Sequence, residues 1–154
     1  MKINLSVSSV FPRSQFPIPY YKNMTEAAIV CVDDETVILD SLQEQISRHF
    51  GEQFLYEAAE SAEEALEILE ELHQEGVKIV LIVSDWLMPG MRGDELLVQV
   101  HQQFQEITTI MLTGQADEEA IERAKREANL YCCIHKPWQE EELLTIMTTA
   151  LESV

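Results

Sequence analysis

The sequence predicts an α/β domain, an open parallel β-sheet with helices packed on both faces. Five short apolar segments alternate along the chain with five segments whose apolar residues recur every three or four positions. This is the pattern of strands connected by helices. The segment IVLIV at 79–83 is apolar without alternation, as expected for a central parallel strand that is covered on both sides.

The alternating pattern occupies only part of the chain. Residues 1–25 contain three prolines and no segment of either kind, whereas residues 26–154 contain all of the alternating segments. We therefore predict an irregular leader at 1–25 and one folded domain at 26–154, which is long enough to bury a core.

The first strand is predicted at 27–32, where AAIVCV is apolar throughout. The next segment, 36–50, places Ile38, Leu42 and Ile46 four residues apart. These side chains share one face of a predicted helix, which completes the first strand–helix pair.

The second strand is predicted at 54–59 and is short. Ser61 and Glu64 match the S-x-x-E capping box, which predicts that a helix begins after Ser61. The third strand is predicted at 77–84, and after a Met-Pro-Gly break the next helix begins at Gly93.

The last two strand–helix pairs complete the pattern. The segments ITTIML and LYCCIH predict strands at 107–112 and 130–135. Apolar residues at helical spacing predict one helix around 120–124 and another over about 140–151.

Polar side chains stand where four of the predicted strands end. Asp33 and Asp34 follow the first strand, Asp85 the third, Thr113 the fourth and Lys136 the fifth. The carboxyl ends of parallel strands meet at one edge of the sheet, where ligands bind in such folds. We therefore expect three carboxylates, a hydroxyl and an ammonium group to lie close together.

This set of groups predicts chemistry on a phosphoryl group. Neighbouring carboxylates repel one another unless a cation lies among them, and oxygen ligands with room for water suit Mg²⁺. A carboxylate beside Mg²⁺ and a lysine can act as a nucleophile toward phosphorus. The metal and Lys136 would neutralise charge on the phosphoryl oxygens, and Thr113 would donate a hydrogen bond to one of them.

These residues also have ordinary structural alternatives. Asp33 and Asp34 could cap the first predicted helix, since acids are favoured at helix N-termini, and Lys136 could be a surface lysine. Adjacent Cys132 and Cys133 are better explained by packing than by a strained disulfide. All three cysteines of the chain lie in apolar segments and are interpreted as buried, reduced thiols of a cytoplasmic protein.

The charge of the chain excludes some classes of partner. The formal net charge is −18, and the leader contains three bases and no acid, so the predicted domain is more acidic still. Nucleic acids and anionic membranes bind Lys/Arg-rich surfaces, so we predict neither direct nucleic-acid binding nor membrane binding. The sequence also lacks the long apolar run of a membrane span.

Four motifs point to a family. They are VDDE at 32–35, SDWLMPGMRGDELL at 84–97, IMLTGQ at 110–115 and IHKPW at 134–138. Each is weak by itself, but all four occur in one family's order and at its approximate spacing. Over residues 27–152 the sequence thereby resembles a response-regulator receiver domain of two-component signalling.

The resemblance implies a flavodoxin-like fold with five parallel strands in the order 2-1-3-4-5. It also implies a cis peptide between Lys136 and Pro137. In such a domain Asp85 would be the phosphoacceptor, Thr113 the switch hydroxyl and Lys136 the phosphate-binding amine. The implied Mg²⁺ ligands are Asp33, Asp34, Asp85 and the backbone carbonyl of Leu87.

Two positions bear on signalling and on phosphoryl lifetime. Receivers usually carry Tyr or Phe three residues before the lysine, where this chain has Cys133. Strand alternation places Tyr131 on the same face, so we expect Tyr131 to replace part of that aromatic's role. Leu87 occupies a position that tunes hydrolysis in the family. Its apolar side chain cannot orient water, which predicts slow self-dephosphorylation.

The resemblance implies a switch controlled by phosphorylation. The donor would be a sensor histidine kinase or a histidine phosphotransfer protein, and the chain would catalyse only its own phosphorylation and dephosphorylation. The output would pass to an unknown partner or to a missing output domain, and homodimerisation stays open.

Two other functions are also open. A receiver fold that binds partners without phosphorylation is favoured by Cys133, because the usual aromatic is missing. A Mg²⁺-dependent phosphohydrolase would generally carry a second acid two residues after its nucleophile, where this chain has Leu87.

Overall fold

A computed structural model describes residues 26–115 and 118–153 of the 154-residue chain. The predicted leader at 1–25 lies outside the described residues, so the boundary between leader and domain stays a prediction. Among the described residues, no helix has both the length and the apolar character needed to cross a membrane.

Within the described residues, five strands alternate with five α-helices, as the sequence predicts. Asp85 and Thr113 are themselves the last residues of their strands, because the third and fourth strands end one residue later than predicted. The strands are β1 Ala27–Val32, β2 Leu55–Ala59, β3 Lys78–Asp85, β4 Thr108–Thr113 and β5 Leu130–His135. The helices are α1 Thr36–Phe50, α2 Ala62–Gln74, α3 Gly93–Gln103, α4 Glu118–Glu127 and α5 Glu140–Glu152, with a 3₁₀ turn at Gly51–Gln53.

The strands form one parallel sheet in the order β2-β1-β3-β4-β5, which confirms the predicted fold class and strand order. Val32 of β1 pairs with Ser84 of β3, and Asp85 pairs with Leu112 of β4. The ends of the three central strands are therefore level with one another. Side chains at or just after these ends are brought to the same edge of the sheet.

Two apolar cores cover the two faces of the sheet. The α1/α5 core contains Ile29 and Cys31 of β1 with the buried residues of α1 and α5. The α2/α3/α4 core contains Ala28 and Val30 of β1 with the buried residues of α2, α3 and α4. Alternation along β1 therefore buries both of its faces, which explains why AAIVCV is apolar at every position.

The edge strand β5 does not alternate as predicted. Consecutive residues of β4 pair with Leu130 and Cys132, so Tyr131 is passed over. Tyr131 is 41% exposed, whereas Cys133 packs against the α2/α3/α4 core. The prediction from strict alternation, that Tyr131 shares a face with Cys133, is wrong because an extra residue interrupts the two-residue period.

Helix α2 begins as predicted, with one difference in its cap. The Ser61 hydroxyl accepts a hydrogen bond from the backbone N–H of Glu64 at 3.0 Å. The Glu64 carboxylate accepts from the backbone N–H of Glu60 at 2.6 Å, one residue earlier than in a complete capping box. The motif therefore marks the start of the helix correctly and satisfies two backbone donors there.

The three cysteines differ in burial. Cys31 is buried, whereas Cys132 and Cys133 are half-buried, so the prediction of three buried thiols is right only for Cys31. Cys132 packs against the α1/α5 core and Cys133 against the α2/α3/α4 core. The adjacent thiols thus lie on opposite faces of β5 and serve packing, as the sequence indicates.

We expect the folded protein to lose stability in alkali through Cys31. Burial raises the pKa of the Cys31 thiol to about 12, above the value it has in an unfolded chain. As the pH rises past the unfolded pKa, the unfolded state loses this proton while the folded state keeps it. The stability that the protonated Cys31 thiol contributes to the folded state is therefore fully present at neutral pH and is lost as the pH rises toward about 12.

Urea denaturation at two pH values checks this. Between about pH 8 and about pH 10.5, the free energy of unfolding of the wild-type protein should fall by about 2 kcal/mol more than that of Cys31→Ala. Equal falls in the two proteins would show that the Cys31 thiol does not resist ionisation in the fold.

Candidate functional site

Three carboxylates meet at the carboxyl edge of the sheet. Asp33 directly follows β1, and its backbone N–H donates to the carbonyl of Ala59 at 3.1 Å. Asp85 ends β3. Asp33, Asp34 and Asp85 each offer a carboxylate oxygen, and these oxygens lie within 4.8 Å of one another. The convergence that the sequence predicts for these three residues is confirmed.

Lys136 lies between two of these carboxylates. Its Nζ is 3.0 Å from Asp33 Oδ2 and 2.9 Å from Asp85 Oδ1. Asp33 is fully buried and Asp85 is 5% exposed, so the ammonium group offsets part of the negative charge of two carboxylates that water hardly reaches. Lys136 therefore is not a surface lysine, and the peptide that joins it to Pro137 is cis, as expected.

The protonation of Asp85 reflects this environment. Burial is the largest influence and raises the pKa of Asp85. The hydrogen bond from Lys136 lowers this pKa, and repulsion from Asp33 raises it again, so the pKa lies above its ordinary value. The negative charge of Asp85 is therefore less stable here than in water.

The pKa of Lys136 is raised as well. Burial lowers it, but the hydrogen bonds and charges of Asp85 and Asp33 outweigh burial and favour the protonated amine. The lysine is thus held as a cation directly beside Asp85.

The backbone around Asp85 is tightly connected. The N–H of Trp86 donates to the carbonyl of Leu112 at 2.8 Å, and the N–H of Gly93 donates to the carbonyl of Trp86 at 2.7 Å. A Cβ added at Gly93 would lie 2.0 Å from the carbonyl oxygen of Asp85. Only glycine permits this approach of α3 to the end of β3.

Thr113 directly follows Leu112, the residue of β4 that pairs with Asp85. Its side chain is nearly fully buried, and its hydroxyl oxygen accepts from the backbone N–H of Gln115 at 3.1 Å. Its carbonyl accepts from the backbone N–H of Lys136 at 2.8 Å. The structure therefore connects Thr113 to Lys136 through the backbone.

Leu87 stands apart from the buried members of the site. It lies in the loop between β3 and α3, and its side chain is 61% exposed. Its assignment as a metal ligand through the carbonyl stays a prediction.

The alternative that the acidic pair caps α1 is not supported. The N-cap residue of α1 is Glu35, and its side chain accepts no hydrogen bond from the first turn of the helix. Asp33 Oδ1 instead accepts from the backbone N–H of Glu35 at 2.9 Å, while its other oxygen contacts Lys136. Asp33 therefore orders the turn between β1 and α1 and faces the site.

Sequence reasoning missed a buried acid beside the site. Asp94 is 1% exposed, and its Oδ1 accepts from the indole N–H of Trp86 at 3.0 Å and from Arg92 Nε at 3.1 Å. In the sequence Asp94 appears only as an acid near a helix start. No pattern in the sequence indicates that an indole eight residues away would bind it.

The donor set fits a hard divalent cation. The three clustered carboxylates supply oxygen ligands, and Asp34 is exposed while Asp33 and Asp85 are buried, so one side of the cluster is open to water. Mg²⁺ prefers oxygen ligands and keeps several of its waters. The arrangement therefore suits Mg²⁺ better than a metal that requires nitrogen or sulfur.

Comparison with known proteins agrees with this geometry. The family profile described as "Response regulator receiver domain" matches residues 29–148. The hydrogenase transcriptional regulatory protein HoxA of Cupriavidus necator is 34% identical over 128 residues, which are 83% of this chain and 25% of HoxA. The sensor kinase CckA of Brucella abortus is 31% identical over 82% of this chain and 13% of CckA. This chain thus spans only a small part of these relatives.

Solved structures of similar sequence have the same fold. The signal receiver domain of an HD domain-containing protein from Pseudomonas fluorescens Pf-5 is 34% identical, with a TM-score of 0.73 over 83% of this chain and 96% of that one. A CheY-like response regulator receiver domain protein from Methanospirillum hungatei JF-1 is 30% identical, with a TM-score of 0.71 over 82% and 94%.

Proposed function

The chain belongs to the response regulator receiver domain family of two-component signalling, and we propose that Asp85 is the residue that accepts its phosphoryl group. The observation that carries this assignment is the position of Lys136 Nζ, 2.9 Å from Asp85 Oδ1 and 3.0 Å from Asp33 Oδ2. A cation held beside a carboxylate at an open sheet edge is suited to receive an anionic group.

The chemistry of the transfer follows from the residues. An oxygen of the Asp85 carboxylate attacks the phosphorus atom of a donor phosphohistidine, a new O–P bond forms, and the N–P bond breaks with the imidazole as leaving group. Lys136 stays protonated and remains beside the phosphoryl oxygens. The acyl phosphate that forms carries more negative charge than the carboxylate it replaces, which strengthens the attraction of this group to the lysine.

We assign Mg²⁺ to Asp33, Asp34, Asp85 and the backbone carbonyl of Leu87. When bound, the metal would supply positive charge that neutralises the phosphoryl oxygens. The clustering of the three carboxylates supports this set. The residues themselves orient the acceptor, since Asp33 and Asp85 are both hydrogen-bonded to Lys136.

The proposed switch begins at Thr113. Its hydroxyl would donate to a phosphoryl oxygen, which draws the end of β4 inward and alters the surface formed by α4, β5 and α5. The backbone bond between Thr113 and Lys136 supports direct coupling of β4 to β5. With Cys133 in place of the usual aromatic, and Tyr131 at the surface, we propose that this coupling passes through the backbone.

The partners follow from the receiver class. Receiver domains work with histidine kinases, and we propose a sensor histidine kinase or a histidine phosphotransfer protein as donor. The output partner or output domain, a homodimer and a cytoplasmic location stay predictions. We also propose that the chain catalyses only its own phosphorylation and dephosphorylation.

Beryllofluoride tests the proposed function. It mimics a phosphoryl group on a carboxylate, and Trp86 and Trp138 lie in the segments that follow Asp85 and Lys136. We expect a saturable change in tryptophan fluorescence in the presence of Mg²⁺ that disappears when EDTA replaces the metal. No change in either condition, with the circular dichroism of the fold intact, would identify a receiver fold that does not use this chemistry.

A second prediction concerns the lifetime of the phosphoryl group. The Leu87 side chain is exposed but cannot form a hydrogen bond to an attacking water. Leu87→Asn should speed dephosphorylation by about fivefold, the effect of one hydrogen bond of about 1 kcal/mol made in the transition state. Phosphate-affinity gels of the purified phosphoprotein over time measure this rate.

The matched control is Leu87→Met, which keeps an apolar side chain and should leave the rate unchanged. If Leu87→Asn and Leu87→Met dephosphorylate equally, residue 87 does not control access of water in this protein.

A further inference from the structure

The loop between β3 and α3 is held at both of its ends. It starts immediately after Asp85 and ends where α3 begins at Gly93. At the backbone level it is closed by the hydrogen bond from the N–H of Gly93 to the carbonyl of Trp86, 2.7 Å long. The loop contains Leu87, whose carbonyl we assign to the metal.

A side-chain connection closes the same loop. The indole N–H of Trp86 donates to Asp94 Oδ1 at 3.0 Å. Arg92 donates from Nε to the same oxygen at 3.1 Å and from Nη2 to Asp94 Oδ2 at 3.4 Å. Trp86 is the first residue of the loop, Arg92 is its last residue, and Asp94 lies in the first turn of α3. These three side chains, here called the loop clamp, are therefore hydrogen-bonded to one another across the loop.

Asp94 is an unusual group to place in the fold for stability alone. Its side chain is 1% exposed, whereas that of Arg92 is 44% exposed. Burying a carboxylate costs free energy that its partners must offset. The position in the first turn of α3 offsets part of that cost, because the helix dipole favours negative charge there.

The loop clamp restricts the residue next to the phosphoacceptor. The Trp86 ring packs against the α2/α3/α4 core, and its N–H is held by Asp94. Because the indole N–H of Trp86 donates to Asp94 and its backbone carbonyl accepts from Gly93, the backbone of Trp86 has little conformational freedom. Asp85 precedes it and Leu87 follows it, so the same restraint acts on two groups that we assign to the metal.

We propose that Trp86, Arg92 and Asp94 are positioning residues that hold the Asp85–Leu87 backbone in the conformation that binds Mg²⁺. This inference rests on the proposed function and adds a role for residues outside the carboxylate cluster. Outer groups that orient metal ligands commonly change metal affinity by an order of magnitude without touching the metal.

The other tryptophan of the chain provides a matched control. Trp138 packs against the α1/α5 core, and its indole N–H donates to Gln45 Oε1 at 2.9 Å. Trp86→Phe and Trp138→Phe therefore each remove one indole hydrogen bond of the same kind, on opposite faces of the sheet. Only Trp86 adjoins residues that we assign to the metal.

The experiment is calorimetric titration of the full chain with MgCl₂, together with thermal unfolding in EDTA. We expect Trp86→Phe to raise the Kd for Mg²⁺ about five- to tenfold and Trp138→Phe to leave it unchanged. Thermal unfolding in EDTA, which contains no metal contribution, should report similar stabilities for the two variants. A purely structural role for Trp86 would lower the unfolding midpoint and leave the Kd unchanged.

Asp94→Asn provides a second test if Trp86→Phe does not fold. The asparagine oxygen can still accept from the indole but loses the ion pair with Arg92, so the Kd should rise about two- to threefold above the wild-type value. A wild-type Kd in Trp86→Phe, or in Asp94→Asn where Trp86→Phe does not fold, would overturn the loop clamp while leaving the proposed function intact. No Mg²⁺ binding by the wild-type protein would overturn both.

Discussion

Replacing Asp85 by asparagine is expected to abolish phosphoryl acceptance while the protein stays folded. Asparagine has nearly the shape of aspartate, but its amide is not a nucleophile toward phosphorus. In the wild-type protein Lys136 Nζ lies 2.9 Å from Asp85 Oδ1, and the side-chain oxygen of asparagine can accept a hydrogen bond from the same ammonium group. The variant therefore removes the reacting charge and little else.

The fold should tolerate this change because the charge of Asp85 is unfavourable where it stands. Burial raises the pKa of Asp85, and the Lys136 hydrogen bond only partly opposes this effect. A neutral side chain avoids the cost of the buried charge, and Lys136 keeps Asp33 as a partner at 3.0 Å. We expect the free energy of unfolding at neutral pH to be at least that of the wild type.

Intact-protein mass spectrometry after incubation with a small phosphoryl donor and Mg²⁺ measures the result. Wild-type protein should gain one phosphoryl group, and Asp85→Asn should gain none. Asp40→Asn, the same chemical change at an exposed position of α1, is the control and should be phosphorylated normally. An equal mass gain in Asp85→Asn would place the acceptor on another residue, which peptide mapping would identify.

Gly93→Ala is expected to have the largest effect on stability. A Cβ at this position would lie 2.0 Å from the carbonyl oxygen of Asp85 and 2.9 Å from its carbonyl carbon. Both are backbone atoms of a central strand, so no side-chain rotation relieves the overlap. Either α3 or the end of β3 must move, and we expect a loss of about 3 kcal/mol in the free energy of unfolding.

The same variant should impair the site. A displacement between Gly93 and Asp85 would stretch the hydrogen bond from Gly93 to the Trp86 carbonyl, now 2.7 Å long. We expect Gly93→Ala to lose most of the fluorescence response to beryllofluoride even at temperatures where it stays folded.

Gly114→Ala is the matched control, because a Cβ there would meet no atom of the described residues within 4 Å, its two chain neighbours aside. Its stability should differ from wild type by no more than about 0.5 kcal/mol. Urea denaturation of both variants provides the comparison. If Gly93→Ala and Gly114→Ala are equally stable, the approach of α3 to β3 is looser than this structure indicates.

Periodicity in the sequence predicts the elements of this fold well, for a physical reason. Each strand that lies under two layers of helices must be apolar on both faces, and each helix must be apolar on one. AAIVCV and the spacing of Ile38, Leu42 and Ile46 express these needs locally. The ends of the strands were within one residue of prediction because polar residues follow them directly.

The same logic predicts which residues gather at the site. Parallel strands that are connected through helices all end on the same edge of the sheet, so topology alone brings Asp33, Asp85 and Lys136 to that edge. Sequence reasoning does not predict that Lys136 bridges the two buried carboxylates, since that depends on the level of β1 against β3 and on the reach of one side chain.

Strict alternation failed where pairing between strands decided the outcome. Tyr131 is passed over because the partner strand β4 pairs with Leu130 and Cys132. An extra residue in an edge strand is a property of two strands together, so no periodicity within LYCCIH reveals it.

The sequence by itself determined the order of elements, the acidic strand ends and the family, because these depend on residue type and spacing along the chain. Only the tertiary structure decided that Lys136 contacts both Asp33 and Asp85, that Gly93 has no room for a Cβ, and that Asp94 binds the indole of Trp86. Each of these facts is a distance between atoms whose approach is set by how β3, α3 and β5 pack, and packing is a property of the whole domain.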